Sequence, residues 1–129
     1  MAVIKSFREL EVYQLALAEA KKLFVITKGF PKDETYSMSS QIRRSSRAVS
    51  AMIAESWARR IYPAAFVSKL DEALGEAMET QAWLDNALNC DYINATQHVE
   101  LNDAWQHVGA MLNKMIHNPD DFCKSAIRK

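Results

Sequence analysis

The side chains with the clearest chemical potential are arginines concentrated in the stretch Ser37–Arg60. A guanidinium group can bind two phosphate oxygens at once, so arginines grouped in this way are candidate contacts to nucleic acid. A single acid, Glu55, accompanies them. The candidate nucleic-acid-binding residues are Arg43, Arg44, Arg47, Arg59 and Arg60.

The same arginines also have a structural interpretation. Glu72, Glu76 and Glu79 are spaced by four and three residues, so they lie on one helical face. These acids can pair with Arg43 and Arg47, either within one subunit or between subunits. Small side chains beyond the arginines would let another helix approach closely. The candidate oligomer-interface residues are Arg43, Arg47, Ala51, Ala54, Ala58, Glu72, Glu76 and Glu79.

Two further sets of residues have a functional and a structural interpretation. Arg59 and Arg60, together with the lysines of the first helix, could bind phosphate, but a solvated face also explains them. The tryptophans could stack on bases, or they could pack in the core or in an interface. The lysines are Lys21, Lys22 and Lys28, and the tryptophans are Trp57, Trp83 and Trp105.

Residue patterns typical of catalytic and metal sites are missing from the sequence. A di-iron bundle needs Glu-x-x-His on two helices, and no Glu in this chain has a His three residues later. His98, His107 and His117 are nine and ten residues apart, so no two share a helical turn. Cys90 and Cys123 have no Cys or His at metal-binding spacing. We therefore expect no metal site, no cofactor and no enzymatic activity.

The composition indicates a single globular, helical domain. The chain has 129 residues, of which 49% are hydrophobic and 25% are charged, with only three Gly and three Pro. So few helix breakers favour long helices. The formal net charge is zero, so any attraction for nucleic acid must come from a local excess of basic residues. The sequence has no signal peptide, disulfide pattern or apolar run of about 18 residues, so we expect a cytoplasmic protein with no membrane partner.

Helical periodicity divides the chain into four segments. Gly29 and Pro31 end the first, and Pro63 opens the third, where its missing N–H does no harm. Asn94 followed by Gln97 has the form of a capping box, which opens the fourth. The predicted helices span residues 8–28, 37–60, 63–90 and 94–118, with an irregular tail at 119–129.

Short connectors between these helices require neighbours to run antiparallel. We therefore predict an all-α fold, an antiparallel up-and-down four-helix bundle formed by residues 1–129. Gly75 interrupts the third helix at a cost of about 1 kcal/mol relative to Ala. Close approach of a neighbouring backbone would explain its presence.

Several sequence strings resemble a known family in their order and spacing. They include FREL near the start, SQIRR and IAES in the second helix and GEAMETQ in the third. From Phe7 to about Ile116 the chain resembles the four-helix-bundle proteins first noticed as reading frames inside intervening sequences of bacterial large-subunit ribosomal RNA genes. This resemblance implies bundles that assemble into barrel-shaped homopentamers. That family is similar to accessory proteins of diversity-generating retroelements, whose positive surface contacts nucleic acid and a reverse transcriptase.

The family's motifs carry over residue by residue. Its Gln-Ile-Arg-Arg string is Gln41–Arg44, its Ile-Ala-Glu string is Ile53–Glu55, and its small residue in the third helix is Gly75. Where the family often has Ile-Pro-x-Asn, this chain has Val49–Met52, and Ser56 replaces a usual glycine. Without that Pro and Asn the second helix is more regular. The resemblance therefore does not extend to a role that depends on a kink or on that Asn.

Three functions from different classes remain open. The first is a non-enzymatic, RNA-associated accessory module that binds RNA or DNA; zero net charge then predicts weak, strongly salt-dependent binding. The second is a protein–protein interaction scaffold with a protein partner. The third is an enzyme, which would need a pocket that collects titratable groups. A homo-oligomer is expected, pentameric by resemblance. If Arg43 and Arg47 serve assembly, replacing both by Glu should dissociate it.

Overall fold

The computed structural model describes residues 3–123, and within this range the chain is all-α, with no strand. Single 3-10 turns lie before the first helix, between the first two helices and after the last one. These turns are Phe7–Glu9, Lys32–Glu34 and Pro119–Asp121. The four α-helices are α1 (Glu11–Thr27), α2 (Met38–Ala58), α3 (Pro63–Asn89) and α4 (Ala95–His117).

Each helix packs against the helix that follows it in the chain, and α4 returns to contact α1. The three connectors are short, at residues 28–37, 59–62 and 90–94, so consecutive helices run antiparallel. This arrangement is consistent with an up-and-down four-helix bundle. The contact between α1 and α4 is the least extensive of the four, whereas that between α2 and α3 is the most extensive.

Side-chain caps determine where two of the helical segments begin. Asn94 accepts a hydrogen bond from the Gln97 backbone N–H, and the Gln97 side chain accepts one from the Asn94 N–H, so the predicted capping box is present. Ser6 and Glu9 form a second capping box around the first 3-10 turn. The backbone then becomes extended at Leu10, with φ −68° and ψ 127°. For this reason α1 begins at Glu11, three residues later than the periodicity predicts.

The core lies between all four helices and is built from large apolar side chains with small polar ones among them. Trp105 and Phe66 are fully buried, and each such side chain contributes about 1.5–3 kcal/mol through the hydrophobic effect. Ser45 of α2 and Thr80 of α3 share a buried hydrogen bond of 2.8 Å between their hydroxyl oxygens. These short side chains let α2 and α3 pack closely.

Part of the segment expected to be an irregular tail is ordered. Pro119–Asp121 forms a 3-10 turn, and the Phe122 ring stacks on Phe66 with 6.1 Å between the ring centroids. Cys123 is buried against the core. The prediction of a tail from residue 119 is therefore wrong for 119–123, because apolar side chains there find partners. Residues 124–129 of that predicted tail lie outside the described residues.

The expected role of Gly75 is also wrong within the described chain. Gly75 is exposed, and a Cβ added there would meet no atom within 4 Å. No backbone of residues 3–123 therefore requires a glycine at this position. The space in front of Gly75 is open.

Candidate nucleic-acid interface

Two consecutive arginines of α2 point to different neighbouring helices. Successive residues of an α-helix are about 100° apart, so the Arg43 and Arg44 side chains leave α2 in different directions. Arg43 lies against α1, where its guanidinium group approaches Phe24. Arg44 lies against α3, where it reaches Glu76. Both arginines belong to one candidate site predicted from the sequence, and the structure divides them between two helix contacts.

Three cations converge on a single aromatic ring between α1 and α2. The Cζ atom of Arg43 is 4.8 Å from the Phe24 ring centroid, and that of Arg47 is 5.2 Å from it. The Nζ atom of Lys28 is 4.5 Å from the same centroid. These distances are within the range of cation–π attraction, which is worth about 0.5–1 kcal/mol at exposed sites. The ring therefore offsets part of the repulsion between its neighbouring cations.

Hydrogen bonds fix Arg43 in this position. Its Nε donates to the Thr27 hydroxyl at 2.8 Å, and its Nη2 is 3.5 Å from the Phe24 carbonyl oxygen. Thr27 is buried and also donates its hydroxyl proton to the Leu23 carbonyl at 2.7 Å. Arg43 is thus held by the end of α1.

A fourth cation completes this surface. Lys21, Phe24 and Arg47 line the same shallow depression between α1 and α2. Lys21, Phe24 and Lys28 are spaced by three and four residues, which brings them to one face of α1. The basic cluster is defined here as Lys21, Lys28, Arg43 and Arg47 around Phe24. None of these four cations forms an ion pair with an acid of residues 3–123.

On the side of α2 that faces α3, the arginine is paired with acids. Arg44 donates from Nη1 to both carboxylate oxygens of Glu76, at 3.0 and 3.1 Å, and from Nη2 to Glu79. These two carboxylates raise the pKa of the Arg44 guanidinium group, Glu76 contributing most. Glu79 also accepts a hydrogen bond of 3.2 Å from the indole nitrogen of Trp83. Arg44 is consequently a poor candidate for phosphate binding.

A lysine pairs with two further acids of this region. Lys69 lies 2.9 Å from Glu72 and 3.2 Å from Glu55, and the two carboxylates, Glu72 first, raise the pKa of Lys69. The predicted pairing of Arg43 and Arg47 with the acids of α3 within one subunit is therefore wrong for residues 3–123, whereas pairing between subunits stays a prediction. The physical reason is angular, since only Arg44 projects from α2 toward α3.

The arginines at the end of α2 lie far from the basic cluster. Arg59 is exposed beyond the last turn of α2. Arg60 covers the Trp57 ring at 3.6 Å and donates from Nε to the Trp57 carbonyl at 2.9 Å. Burial lowers the pKa of Arg60. About 18 Å of helix, at 1.5 Å per residue, separates Arg59 from Arg47, so the five predicted arginines do not form one site.

The remaining predicted interface residues lie on the outer part of α2. Ala51 and Ala58 are exposed, and Ala54 is half-buried. Lys22 of α1, another predicted phosphate contact, forms an ion pair of 2.7 Å with the nearly buried Glu19, which raises the pKa of Lys22. The structure thus separates Lys22 from the unpaired lysines of α1.

The described part of the chain also gives information on metal sites, membrane-spanning helices and surface grooves. Residues 3–123 contain no group of three or more His, Cys, Asp or Glu side chains arranged to hold a metal ion. None of the helices of that range is long and apolar enough to cross a membrane. Two open grooves of about 530 and 590 Å³ follow the contact between α1 and α4, and their floors are mainly apolar.

Sequence reasoning missed the central role of Phe24 and Thr27. A usable signal was present, because Lys21 and Lys28 flank Phe24 at i−3 and i+4 on the helix. Those spacings place both lysines beside the ring. What the sequence could not supply was the rotation of α2 that brings Arg43 and Arg47 to the same ring.

Comparison with known proteins confirms the resemblance. The family model described as "23S rRNA-intervening sequence protein" matches residues 8–114. The chain is also similar to a solved structure from Bacteroides thetaiotaomicron VPI-5482, described as a protein with unknown function from the S23 ribosomal protein family. The two share 28% sequence identity with a TM-score of 0.73, over 82% of this chain and 95% of that chain. No curated protein matches significantly. Because the family model spans well over half of its length, the chain belongs to the 23S rRNA-intervening sequence protein family.

Proposed function

We propose that this chain is a non-enzymatic accessory protein that binds nucleic acid through the basic cluster, with RNA as its first ligand. The observation that supports the proposal is the convergence of four cations around Phe24 without a carboxylate partner among residues 3–123. Cations held this close repel one another, and a bound phosphate would relieve that repulsion. The family's description refers to 23S ribosomal RNA, which makes RNA the ligand to test before DNA.

The zero net charge of the chain sets the expected strength of binding. Nothing in the whole-molecule charge attracts a polyanion, so the affinity must come from a local excess of basic residues, which the basic cluster supplies. Each neutralised phosphate releases counterions, and binding should fall steeply between about 50 and 200 mM salt. We therefore expect weak binding by one subunit and stronger binding by several subunits acting together.

The test is fluorescence anisotropy of a labelled structured RNA with the purified protein at both salt concentrations. The variant Arg47→Glu reverses the charge of one exposed side chain in the basic cluster. We expect it to weaken RNA binding by about tenfold or more at low salt, since one attraction is lost and one repulsion is added.

The matched control is Arg59→Glu, which makes the same charge change at another exposed position of the α2 region. It should leave the affinity within about twofold if the basic cluster is the site. A larger effect of Arg59→Glu than of Arg47→Glu would move the site to the other end of α2. No binding of the wild-type chain to RNA or to duplex DNA at low salt would refute the proposal.

A second candidate function, assembly into a homo-oligomer that serves as a scaffold, is favoured by the surface between α1 and α4. The two grooves there expose apolar side chains along both helices. Val25 of α1 and Val99 of α4 are each 55% exposed. Exposed valines beside open grooves are typical of a surface that another protein covers.

The charges at this surface fit a second copy of the chain. Glu11 and Lys114 line the groove at one end, and Lys22 and Glu100 line the groove at the other. Each groove thus carries both signs of charge. A second copy that places its α1 antiparallel to either α1 or α4 would set acids opposite lysines. We propose this surface as the subunit interface in place of the α2 and α3 residues predicted from the sequence.

Analytical ultracentrifugation of Val25→Glu tests the interface. A buried charge should shift the oligomer toward monomer at a concentration where the wild-type chain is assembled. Met78→Glu is the matched control, because Met78 is 56% exposed, lies on α3 and lines neither of the two grooves. If the Met78→Glu oligomer dissociates and the Val25→Glu oligomer stays intact, the interface lies on α3. A monomeric wild-type chain would refute assembly altogether.

A further inference from the structure

We infer that the basic cluster binds the sugar–phosphate backbone of a double-helical segment, and that Phe24 holds cations rather than stacking on a base. The inference rests on the proposed function and specifies its ligand. It makes two claims that are separate from binding itself. One concerns the kind of nucleic acid, and the other concerns indifference to base sequence.

The first argument is that the Phe24 ring is already occupied. Three cationic groups lie 4.5, 4.8 and 5.2 Å from its centroid. A base that stacks on an aromatic side chain needs a free ring face, and such stacking is what proteins that bind single strands commonly use. Phe24 is also only half-exposed between α1 and α2. Its ring therefore orients the cations and does not receive a base.

The second argument is that the tryptophans offer no alternative stacking surface. Trp105 is fully buried, and the Trp57 ring is covered by Arg60 at 3.6 Å. Trp83 is half-buried and donates its indole N–H to the Glu79 carboxylate at 3.2 Å, so an acid borders that ring.

Among residues 3–123, the exposed aromatic side chains are Tyr36 and Tyr62, at 95% and 67%. Neither belongs to the basic cluster. A single strand would have to leave its bases unstacked there, whereas a duplex keeps its bases stacked internally.

The third argument concerns the width of the basic cluster. Because three of its cations lie near one centroid, no two of those three are more than about 10 Å apart, twice the usual cation–π distance. Along one strand of a duplex, phosphates follow each other at about 3.4 Å of axial rise. The cluster therefore faces no more than about three consecutive phosphates of one strand. Phosphate contacts position a protein on a duplex but carry no sequence information.

The experiment compares four labelled ligands of equal length at about 50 mM salt. They are two RNA duplexes of unrelated sequence, a DNA duplex with one of those sequences, and oligo(U) as an unstructured single strand. We expect the three duplexes to bind within about fivefold of one another. We expect oligo(U) to bind at least about fivefold more weakly, since it gains no stacking on this surface.

Three variants test the parts assigned to the side chains. Phe24→Leu should weaken binding to every ligand by a similar factor of about two- to fivefold, the equivalent of one lost cation–π contact. Phe24→Tyr keeps the ring and should therefore recover most of the affinity that Phe24→Leu loses. Arg47→Gln should reduce the slope of log affinity against log salt by about one for each contacting subunit.

The possible results separate this inference from the proposed function. Absence of binding to all four ligands would refute the proposed function and the inference with it. Equal or tighter binding of oligo(U), especially if Tyr36→Ala then abolishes it, would overturn the inference and leave nucleic-acid binding standing. A difference of more than about tenfold between the two RNA duplexes would overturn the claim of backbone recognition.

Discussion

Arg43 and Arg44 are neighbours in the sequence of α2, yet the first lies against α1 and the second against α3. Between α2 and α3, the arginine binds two carboxylates and a lysine binds two more. Between α1 and α2, the arginines and lysines gather around Phe24, and no acid of residues 3–123 pairs with them. The residue type is the same on both sides. What differs is the partner that the neighbouring helix supplies.

This difference shows that an arginine-rich helix cannot be assigned a function from its own residues. A paired arginine contributes to stability, whereas an unpaired one contributes to the local potential that attracts anions. The two sides of α2 should therefore respond differently to the same substitution. Three predictions follow from this contrast.

The largest expected effect comes from Arg44→Glu. This change removes the contacts to Glu76 and Glu79 and sets a third carboxylate beside them. The Arg44 side chain is 47% exposed, so solvent screens these contacts. We expect a loss of about 1–2 kcal/mol in the free energy of unfolding, measured by urea denaturation, with RNA affinity within about twofold of wild type.

The comparison variant is Arg47→Glu, which should do the reverse. Its free energy of unfolding should stay within about 0.5 kcal/mol of wild type, because the side chain is exposed and pairs with no acid of residues 3–123. Its RNA affinity should fall. If both variants lose stability equally, the contrast between the two sides of α2 is incorrect.

A smaller effect is expected from replacing one buried threonine on each side of α2. Thr27→Val removes the acceptor of Arg43 Nε, and Thr80→Val removes the partner of Ser45. Both should lower the free energy of unfolding by about 0.5–1.5 kcal/mol, the usual net value of a hydrogen bond. Only Thr27→Val should also weaken RNA binding, by about two- to threefold, because Arg43 is then less well held. Equal RNA affinity of the two variants would show that the position of Arg43 is unimportant.

The smallest effect concerns a contact between two connectors, because Glu34 lies between α1 and α2 whereas Tyr92 lies between α3 and α4. Tyr92 donates a hydrogen bond of 2.8 Å to Glu34, and this bond is the main cause of the lowered pKa of the Glu34 carboxyl group. A lowered pKa stabilises the fold at pH values above 4.5, and that contribution is lost as the pH falls through the folded-state value. The stability of Tyr92→Phe should therefore depend less on pH in this acidic range. Urea midpoints at pH 7 and at about pH 3.5 measure the difference.

Urea midpoints of the same two proteins at alkaline pH are the control for this prediction. The same hydrogen bond raises the pKa of the Tyr92 phenol above 10.0, so its contribution fades again as the pH rises through the raised value. The wild-type advantage over Tyr92→Phe should be largest between these limits. An advantage that is constant from acid to neutral pH would contradict the role assigned to Glu34.

The four helices could be predicted from the sequence because the residue patterns that specify them are local. The capping box of Asn94 and Gln97, the proline at the start of α3 and the apolar periodicity each act within one or two turns. The observed bounds of the four helices lie within three residues of the predicted ones. The ordered turn after α4 was missed because its stability comes from Phe122 packing on Phe66, a contact between distant parts of the chain.

The candidate site could be predicted only in part from the sequence. The excess of arginine in α2 is visible in the sequence, and so are the acids of α3. The choice between Arg43 and Arg44 as the partner of those acids depends on the rotation of α2 about its axis. That rotation is set by burial of Ile42, Val49 and Ile53 in the core. The apolar pattern of α2 shows which face is buried, but it does not show on which side of that face α1 and α3 lie.

An even number of antiparallel helices has a practical consequence for the two ends of the chain. Leu10 before α1 and Phe122 beyond α4 line the same groove, so both ends of the described chain emerge at one pole of the bundle. Phe24 lies about 21 Å further along α1, toward the other pole. A fluorophore, an affinity tag or a surface tether attached at either end of the described chain should therefore leave the basic cluster free. Single-molecule and biosensor measurements can use such attachments without masking the surface that they are meant to probe.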